Sequence, residues 1–354
     1  MAPGAGPPRT SFTLINTPTG DRDLSREAAR DVIPIKGSAG ARYALGMEYP
    51  PGYRSRAPTP DDLDGVAEIL LADAQQSALH ADFLRDQWSR AGFELASDAW
   101  VVVRGDEIVG YGQARREEPS VVESWGVVHP GHRGRGLGTW LLDRIRRRAS
   151  QLLAGVPDPR FRHAVNADDR AAAALLHAGG LRPLRHFWHM QVDLAAGFEP
   201  GPTPEGIQIG GIDPGVQLAA VHAVLDEAFA DHWGHHRESF DRWAQEQTGS
   251  PGYDPTLWLL ATEAGAPVGA LTATAAADHG WVDQLGVLAP WRGRGIARAL
   301  LLRSFATFAH RGLRRVLLNV DAENPTGATR LYEGVGMRVV HRWDWWERSS
   351  GGPL

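Results

Sequence analysis

Two short stretches rich in glycine and arginine decide the fold of this chain, RGRGLG at residues 133–138 and RGRGIA at residues 292–297. Each follows an apolar stretch that predicts a β-strand, 121–128 in the first case and 281–288 in the second, and each opens a pattern that predicts an amphipathic helix. Glycines in such a turn let the backbone approach a ligand closely, and the helix N-terminus offers unpaired N–H donors and a partial positive charge. The sequence therefore predicts two strand–loop–helix units that could bind phosphate.

Two other common phosphate-binding motifs do not fit these loops. A Rossmann loop needs G-x-G-x-x-G with an acidic residue about 20 positions further on, and a Walker loop ends in Gly-Lys followed by Ser or Thr. Residues 133–138 and 292–297 match neither pattern. A glycine-rich turn without a ligand is the alternative, and the occurrence of two such loops in the same context argues against it.

The same order of elements occurs twice along the chain. Arg133 and Arg292 lie 159 residues apart, and Gly180 and Gly336, near the end of each copy, lie 156 residues apart. Such similar offsets indicate a duplicated domain, so the predicted architecture is two α/β domains in tandem. The predicted elements are a helix over 61–78, strands over 100–104, 107–113 and 121–128, and a helix over 137–149 in the first copy, and a helix over 217–229 with strands over 257–262, 268–274 and 281–288 in the second.

Stretches rich in proline and glycine separate the predicted domains. Residues 1–56 predict a flexible or loosely docked N-terminal extension, with the alternative that residues 43–53 pack on a domain as an arm. Three prolines among residues 198–204 predict a linker. The domains are therefore expected over 57–197 and 205–348.

The composition of the 354 residues is that of an ordinary globular protein, with 43% hydrophobic and 22% charged residues. The net charge of −5 argues against a nucleic-acid partner, because binding phosphates requires a basic surface. The lack of cysteine excludes disulfides, thiolate nucleophiles and cysteine-ligated zinc. No apolar run approaches the roughly 20 residues that span a bilayer, and the N-terminus does not resemble a secretory signal. We therefore expect a cytoplasmic protein without a membrane partner; the sequence does not indicate its oligomeric state.

Both loops resemble the signature of the GNAT superfamily of N-acetyltransferases, an Arg or Gln followed by x-x-Gly-x-Gly/Ala after a central strand. The matching residues are Arg133, Gly136 and Gly138 in the first copy and Arg292, Gly295 and Ala297 in the second. The arrangement resembles the tandem, mycothiol synthase-like members of that superfamily. The resemblance implies two GNAT-like domains, each with a mixed central sheet flanked by helices.

The resemblance also implies acetyl-CoA as the cofactor. The expected contacts with coenzyme A in the second copy are Val287, Leu288, Arg292, Gly293, Arg294, Gly295, Ile296, Ala297 and Asn324. Those in the first copy are Val128, Arg133, Gly134, Arg135, Gly136 and Gly138. The loop amides are expected to bind the pyrophosphate, the arginines to add charge at the rim, and the preceding strand to pair with the pantetheine arm.

A tyrosine distinguishes the second copy from the first. In the family a tyrosine after the closing Asn motif protonates the leaving thiolate, and this role carries over to Tyr332, although it could instead only pack the end of its helix. The equivalent position in the first copy is Leu176, which cannot donate a proton, and His177 is a possible substitute. The second domain is therefore expected to be catalytic and the first non-catalytic.

Asp283 is the expected general base that removes a proton from the acceptor amine. Period-2 alternation over the strand places Trp281, Asp283, Leu285 and Val287 on one face, and Asp283 is the only titratable group among them. In some relatives the glutamate base falls nearer Trp281, and a salt-bridged or solvated Asp283 is the alternative interpretation.

The acceptor side is expected to come from the first-helix region of the second copy, residues 227–236. Glu227, Asp231, His232 and Trp281 are the predicted contacts with a cationic amine. A metal site could be suggested by His232, His235 and His236. No carboxylate stands at ligand spacing in a recognisable pattern, so we expect no metal ion.

These observations predict an acetyl-CoA-dependent N-acetyltransferase in which the amine of a small molecule attacks the thioester directly. Mycothiol-type, antibiotic and aminosugar amines all remain possible acceptors. A coenzyme-A-responsive binding or regulatory protein with little turnover is the alternative. An aminoacyl transferase that uses aminoacyl-tRNA is a third, disfavoured by the two loops and the negative charge.

Overall fold

A computed structural model describes residues 50–73, 81–90, 92–230, 232, 237–249, 252–276, 278–324 and 327–348. The elements of the first half are β1 (Arg54–Arg56), α1 (Leu63–Ala72), α2 (Ala81–Ser89), α3 (Leu95–Asp98), β2 (Ala99–Arg104), β3 (Glu107–Glu118), β4 (Val121–Val128), α4 (Leu137–Leu152), β5 (Arg160–Asn166), α5 (Arg170–Ala178) and β6 (Arg182–Asp193). Those of the second half are β7 (Ile207–Gly211), α6 (Pro214–Ala228), α7 (Phe240–Thr248), β8 (Leu259–Glu263), β9 (Ala266–Ala275), β10 (Gly280–Val287), α8 (Ile296–His310), β11 (Arg315–Asp321), α9 (Ala328–Gly334) and β12 (Arg338–Arg348).

The strands of the two halves form one mixed sheet, in the order β1-β2-β3-β4-β5-β12-β6-β11-β10-β9-β8-β7. β4 and β5 are parallel, as are β10 and β11, and the other neighbours are antiparallel. β12 lies between β5 and β6, and β6 pairs with β11. Each half therefore completes its part of the sheet with the last strand of the other half. The tandem α/β prediction is confirmed, and the exchange of the last strands was not anticipated.

The start of the described chain is docked on the first half. β1 pairs with β2, and the buried Tyr53 forms a hydrogen bond of 3.0 Å between its hydroxyl and Nδ1 of His132. Residues 53–56, which the sequence assigned to the extension, therefore belong to the folded first half. Residues 1–49 lie outside the described part of the chain.

Helices cover both faces of the sheet. α4 and α8 pack on one face, where the apolar side of α4 presents Leu141 and Ile145 to Gly110 and Gly112 of β3. α1 and α6 pack on the other face, where α6 approaches Gly286 of β10 so closely that a side chain at this glycine would collide with Ala228. We call these the α4/α8 face and the α1/α6 face. α1 was predicted to run to residue 78, but it ends at Ala72, with Asp73 as its C-cap.

A gap opens between the two parallel strands of each half. Pairing of β4 with β5 ends at Trp125 and Ala164, and pairing of β10 with β11 ends at Val282 and Leu318, although β4 and β10 both continue. Each gap lies in front of the glycine-rich loop that starts α4 or α8. Among the described helices, none is both long and apolar enough to cross a membrane.

Candidate active site

The glycine-rich loop of the second half leads into an uncapped helix. Gly293 and Gly295 have φ angles of +77° and +80°, a conformation that side chains other than glycine rarely adopt. Gly295 is the N-cap of α8, and no side chain of the described residues caps this helix. The first N–H groups of α8 therefore remain available to an anion. The loop and the first turn of α8 line a cavity of about 470 Å³.

The two arginines of this loop do not supply free charge at the rim. Arg292 donates from Nε to the carbonyl of Val287 (3.0 Å) and from Nη2 to the carbonyl of Ala228 (3.0 Å). Arg294 donates to Oε1 of Glu263 (2.6 Å) on the exposed side of the loop and is not part of the cavity wall. Arg292 thus connects β10, the loop and the end of α6, while Arg294 forms a surface ion pair.

A β-bulge at Asp283 lies where the gap opens. Val282 pairs with Ala273 and Gln284 pairs with Thr272, so Asp283 is an extra residue without a partner position on β9. The expectation that Trp281, Asp283, Leu285 and Val287 share one face is therefore wrong, because an extra residue shifts the alternation that follows it. Trp281, Gln284 and Gly286 lie on the α1/α6 face, and Val282, Leu285 and Val287 lie on the α4/α8 face.

The carboxylate of Asp283 is directed to the α1/α6 side of the gap. Thr274, which is paired with Trp281 and therefore lies on that face, donates from Oγ1 to Oδ1 of Asp283 at 3.4 Å. Asp283 is half-buried and lines the cavity. The bulge thus brings a carboxylate to the point where the two strands separate.

Tyr332 lines the same cavity from α9. Burial of this side chain raises its pKa to about 12. Within the described part of the chain, its hydroxyl has no hydrogen-bond partner. A phenol with this pKa keeps its proton at neutral pH. It can therefore act as a general acid toward a leaving group.

The other predicted residues of the second half divide into two groups. The cavity wall includes Trp281, Val287, Arg292, Gly293, Gly295, Ile296, Ala297, Asn324 and His232. Leu288 and Glu227 are not part of it; Leu288 donates its N–H to the carbonyl of Val268, and Glu227 is exposed on α6. Asp231 lies outside the described residues.

The sequence did not predict two polar residues of β11 that line the cavity, Asn319 and Asp321. The available signal was a polar residue inside an apolar strand, since Asn319 stands between the buried Leu318 and Val320. Asp321 forms an ion pair with Arg185 (3.1 Å), and burial raises its pKa. In the described part of the chain, no three His, Asp or Glu side chains cluster as metal ligands would.

The first half repeats the loop and the gap around a cavity of about 310 Å³. Val128, Arg133, Gly134, Gly136 and Gly138 line it, and the N-terminus of α4 is also uncapped by described side chains. Arg135 lies outside the wall and donates to the carbonyl of Gly131.

The chemical groups of the second half have no equivalents here. β4 pairs with β3 without a bulge between Val122 and Val128, and Leu176 takes the place of Tyr332. His177, the possible substitute, is exposed and does not line the cavity. The guanidinium of Arg133 donates to the carbonyl of Val128 (3.2 Å) and to Oδ1 of Asp73 (2.6 Å). Its charge is therefore paired with a carboxylate of the cavity wall.

Comparison with known proteins identifies two matching regions. The Acetyltransferase (GNAT) family matches residues 218–337, and the Acetyltransferase (GNAT) domain matches residues 96–176. Mycothiol acetyltransferase of Thermobispora bispora is 34% identical over 296 residues, which cover 78% of this chain and 93% of that protein. Mycothiol acetyltransferase of Streptomyces coelicolor is 31% identical over 297 residues, which cover 81% and 91%.

Solved structures show the same architecture. A GCN5-related N-acetyltransferase from Sphaerobacter thermophilus superimposes with a TM-score of 0.74 at 34% identity, over 87% of this chain and 98% of that chain. A tandem GNAT protein from the clavulanic acid biosynthesis pathway has a TM-score of 0.63 at 18% identity, over 85% and 99%, a likeness of fold alone.

Proposed function

This chain belongs to the GNAT family of acetyltransferases as a tandem-domain member, and we propose that it transfers the acetyl group of acetyl-CoA to a primary amine of a small molecule. The observation that carries the proposal is the cavity of the second half. An uncapped glycine-rich loop, a gap between strands, the carboxylate of Asp283 and the protonated phenol of Tyr332 all line this one space.

The second half has the features that coenzyme A requires. The N–H groups at the start of α8 suit its pyrophosphate, because a helix N-terminus favours anions. Beyond Val282, β10 is paired with β9 on one side only, so its other edge can pair with the amide groups of the pantetheine arm. Asn324 and Ala297 line the same cavity. Arg292 contributes by holding the loop against β10 and α6.

Asp283 and Tyr332 would carry the proton transfers. Asp283 accepts a proton from the ammonium group, since only the neutral amine is nucleophilic. The amine nitrogen then forms a bond with the thioester carbon while the carbon–sulfur bond breaks. Tyr332 donates its proton to the departing sulfur, and the resulting phenolate takes up the second proton that the nitrogen releases as the amide forms. The residues of this cavity thus supply one base and one acid for a direct transfer.

The acceptor that we propose is a mycothiol-related amine. The support is the name of the relatives, Mycothiol acetyltransferase, two of which this chain covers over more than nine-tenths of their length. We also propose that the first half is non-catalytic, since its cavity contains Leu176 where the second half has Tyr332. Residues 198–204 are the proposed linker between the two halves.

The test is a turnover assay with the purified chain, acetyl-CoA and desacetylated mycothiol, with D-glucosamine as a second amine. We expect release of coenzyme A thiol together with an N-acetylated product detected by mass spectrometry. If acetyl-CoA binds but neither amine is acetylated, the alternative of a coenzyme-A-responsive binding protein gains support. That alternative is favoured by the first half, which has the loop and the cavity without an acid.

A further inference from the structure

The β-bulge of β10 places two consecutive side chains on the same face of the sheet. In a regular strand, neighbouring side chains point to opposite faces, and the extra residue at Asp283 breaks this rule. The contact with Thr274 directs the carboxylate of Asp283 to the α1/α6 face. Gln284 lies on that face too, because it is two residues before Gly286, which packs against α6. A carboxylate and a carboxamide therefore stand next to each other on this face.

The side chain of Gln284 is open to the cavity. Gln284 is half-buried and forms part of the cavity wall. Within the described part of the chain its carboxamide has no hydrogen-bond partner, and neither its oxygen nor its nitrogen is enclosed by protein atoms. A carboxamide has one oxygen acceptor and two N–H donors. A molecule in the cavity can therefore form hydrogen bonds with this group.

Gln284 stands beside the gap on the side opposite to the glycine-rich loop. It lies beyond Val282, the last residue of β10 that pairs with β11. The loop and α8 lie on the α4/α8 face, away from Gln284. The wall on the Gln284 side includes two aromatic residues, Trp281 and Phe229, the C-cap of α6. This is the side from which a second substrate can approach a thioester held in the gap.

The two groups at the bulge match an amine with a neighbouring oxygen. The carboxylate of Asp283 suits an ammonium group, which has three N–H donors and no acceptor. The carboxamide of Gln284 is uncharged and can donate to a carbonyl or a hydroxyl oxygen. Because the two residues are consecutive, the matching amine and oxygen must also be close together in the ligand. An α-amino amide and a 2-amino alcohol both meet this condition, and a simple alkylamine does not.

We propose that Gln284 determines acceptor specificity by donating from Nε2 to an oxygen on the carbon next to the amine-bearing carbon, while Asp283 binds the amine. This inference rests on the proposed acetyl transfer and names the class of its acceptor. Gln284 exchanges no proton with the substrate. It provides a second point of attachment, and two such points orient the amine nitrogen toward the thioester carbon.

The first half lacks this arrangement. β4 is regular between Val122 and Val128, so consecutive side chains alternate between the two faces. Ser124 lies on the α4/α8 face, where its hydroxyl forms a hydrogen bond of 2.8 Å with Nδ1 of His163. Glu123 lies on the other face. Among the described residues of β4, no carboxylate therefore has a carboxamide beside it on the same face.

Three amines that differ in one group test the proposal. L-Alaninamide and 2-amino-1-propanol have an oxygen on the carbon next to the amine-bearing carbon, and 2-aminopropane has a methyl group there. Gln284→Met keeps the length of the side chain and removes both polar atoms. We expect it to lower kcat/KM about 5-fold or more for the two amines with oxygen, since one hydrogen bond is lost, and to change that of 2-aminopropane less than about twofold.

The comparison of each amine with itself, in wild type and variant, removes the effect of differences in amine basicity. Gln208→Met is the matched control, because Gln208 is an exposed strand glutamine of the same half outside the cavity. It should leave all three values unchanged. A loss confined to alaninamide would identify a carbonyl oxygen as the recognised group, and a loss confined to the alcohol would identify a hydroxyl; either result supports the inference.

The remaining outcomes separate this inference from the proposed function. An equal loss for all three amines, or a comparable rise in the dissociation constant of acetyl-CoA, overturns the role of Gln284. If desacetylated mycothiol is acetylated equally well by wild type and Gln284→Met, the inference fails and the proposed function stands. Ligand-observed NMR measures amine binding without turnover. If amine binding depends on Gln284 but no acetyl group is transferred, the inference holds and the proposed function fails. If no amine binds to the wild-type chain, both fail.

Discussion

The two halves of the sheet share their backbone features and differ in their chemistry. Both have a loop with two glycines at positive φ, an uncapped helix N-terminus and a gap between parallel strands. Only the second has a bulge at Asp283 and a tyrosine at position 332. The features suited to an anionic cofactor depend on the backbone, whereas those suited to transfer depend on a few side chains that could be lost or gained separately.

The arginines of the two loops show the same difference. Arg292 bonds to two backbone carbonyls, while Arg133 bonds to one carbonyl and to the carboxylate of Asp73, with Asp169 at 3.7 Å. Asp73 and Asp169 both line the cavity of the first half. Carboxylates near the loop oppose the binding of a pyrophosphate, so we expect acetyl-CoA to bind the second half more tightly.

The largest effect expected on kcat is that of Tyr332→Phe. Loss of the phenol should reduce kcat by about 100-fold or more while acetyl-CoA binding is retained, because a general acid contributes this much or more. Since the pKa of Tyr332 is raised to about 12, ionisation of this group should not lower wild-type kcat below about pH 10. Steady-state kinetics over pH would check both statements.

Tyr253→Phe is the matched control for this variant. The hydroxyl of Tyr253 is buried without a hydrogen-bond partner among the described residues, and it lies in the same half outside the cavity. Turnover of Tyr253→Phe should equal that of the wild type. A kcat of Tyr332→Phe close to the wild-type value would remove the acid from our account.

Asp283→Asn should have the next largest effect, a loss of about 10- to 100-fold in kcat/KM for the amine at pH 7. The loss should shrink as pH rises, because a growing fraction of the amine is then already neutral. Asp193→Asn, which breaks an exposed ion pair with Arg338, is the control and should have little effect. A defect that stays constant with pH would mean that Asp283 is not the base.

Arg292→Ala should raise the KM for acetyl-CoA about 10-fold, since two charge-assisted hydrogen bonds that hold the loop are lost. Arg133→Ala, the equivalent change in the first half, should leave this KM unchanged. Arg294→Ala removes only the exposed pair with Glu263 and should change it by less than about threefold. Equal effects of Arg292→Ala and Arg133→Ala on this KM would contradict the claim that acetyl-CoA is used by the second half.

The smallest expected effect concerns stability and a charge cluster of the first half. Glu123 is buried, and its carboxylate lies 3.5 Å from the guanidinium of Arg162. Its position on β4 and on the sheet face corresponds to that of Trp281 on β10 in the second half. Desolvation raises the pKa of Glu123 from 4.5 to about 7, so its contribution to stability is fully present below pH 4.5 and is lost as pH rises through 7.

Glu123→Gln should therefore lose less stability than the wild type between pH 5 and pH 8, by on the order of 1 to 3 kcal/mol. Urea unfolding at both pH values measures this difference. Kinetic constants should stay at wild-type values, because the cluster lies outside the second-half cavity. An identical pH dependence in variant and wild type would contradict the raised pKa.

The sequence predicted the elements near the loops well and the relations between distant elements poorly. β4 lies at 121–128 as predicted, and α4 begins at Leu137 as predicted, because local patterns determine them. Alternation failed at Asp283, since a bulge adds a residue without changing the apolar pattern. The exchange of β6 and β12 depends on pairing between segments about 150 residues apart, which periodicity does not encode.

The prediction of side-chain roles was limited in the same way, because those roles depend on contacts between residues that are distant in the sequence. The sequence predicted Tyr332 as a site residue through its motif, and its role stays a prediction. That Asn319 Oδ1 is buried without a partner among the described residues is visible only in the folded sheet. Arg292 and Arg294 look equivalent in the sequence. Only the fold shows that one reaches two carbonyls and the other an exposed carboxylate.

A matched pair of charge insertions tests most directly whether acetyl transfer belongs to the second half. Ala297 and Gly138 are each the second residue of the helix that follows a loop, and each lines its own cavity. A glutamate at either position favours the helix but repels a pyrophosphate. We expect Ala297→Glu to lose about 100-fold or more of kcat/KM for acetyl-CoA and Gly138→Glu to stay within about threefold of the wild type. A larger loss in Gly138→Glu, or equal losses in both, would contradict the account.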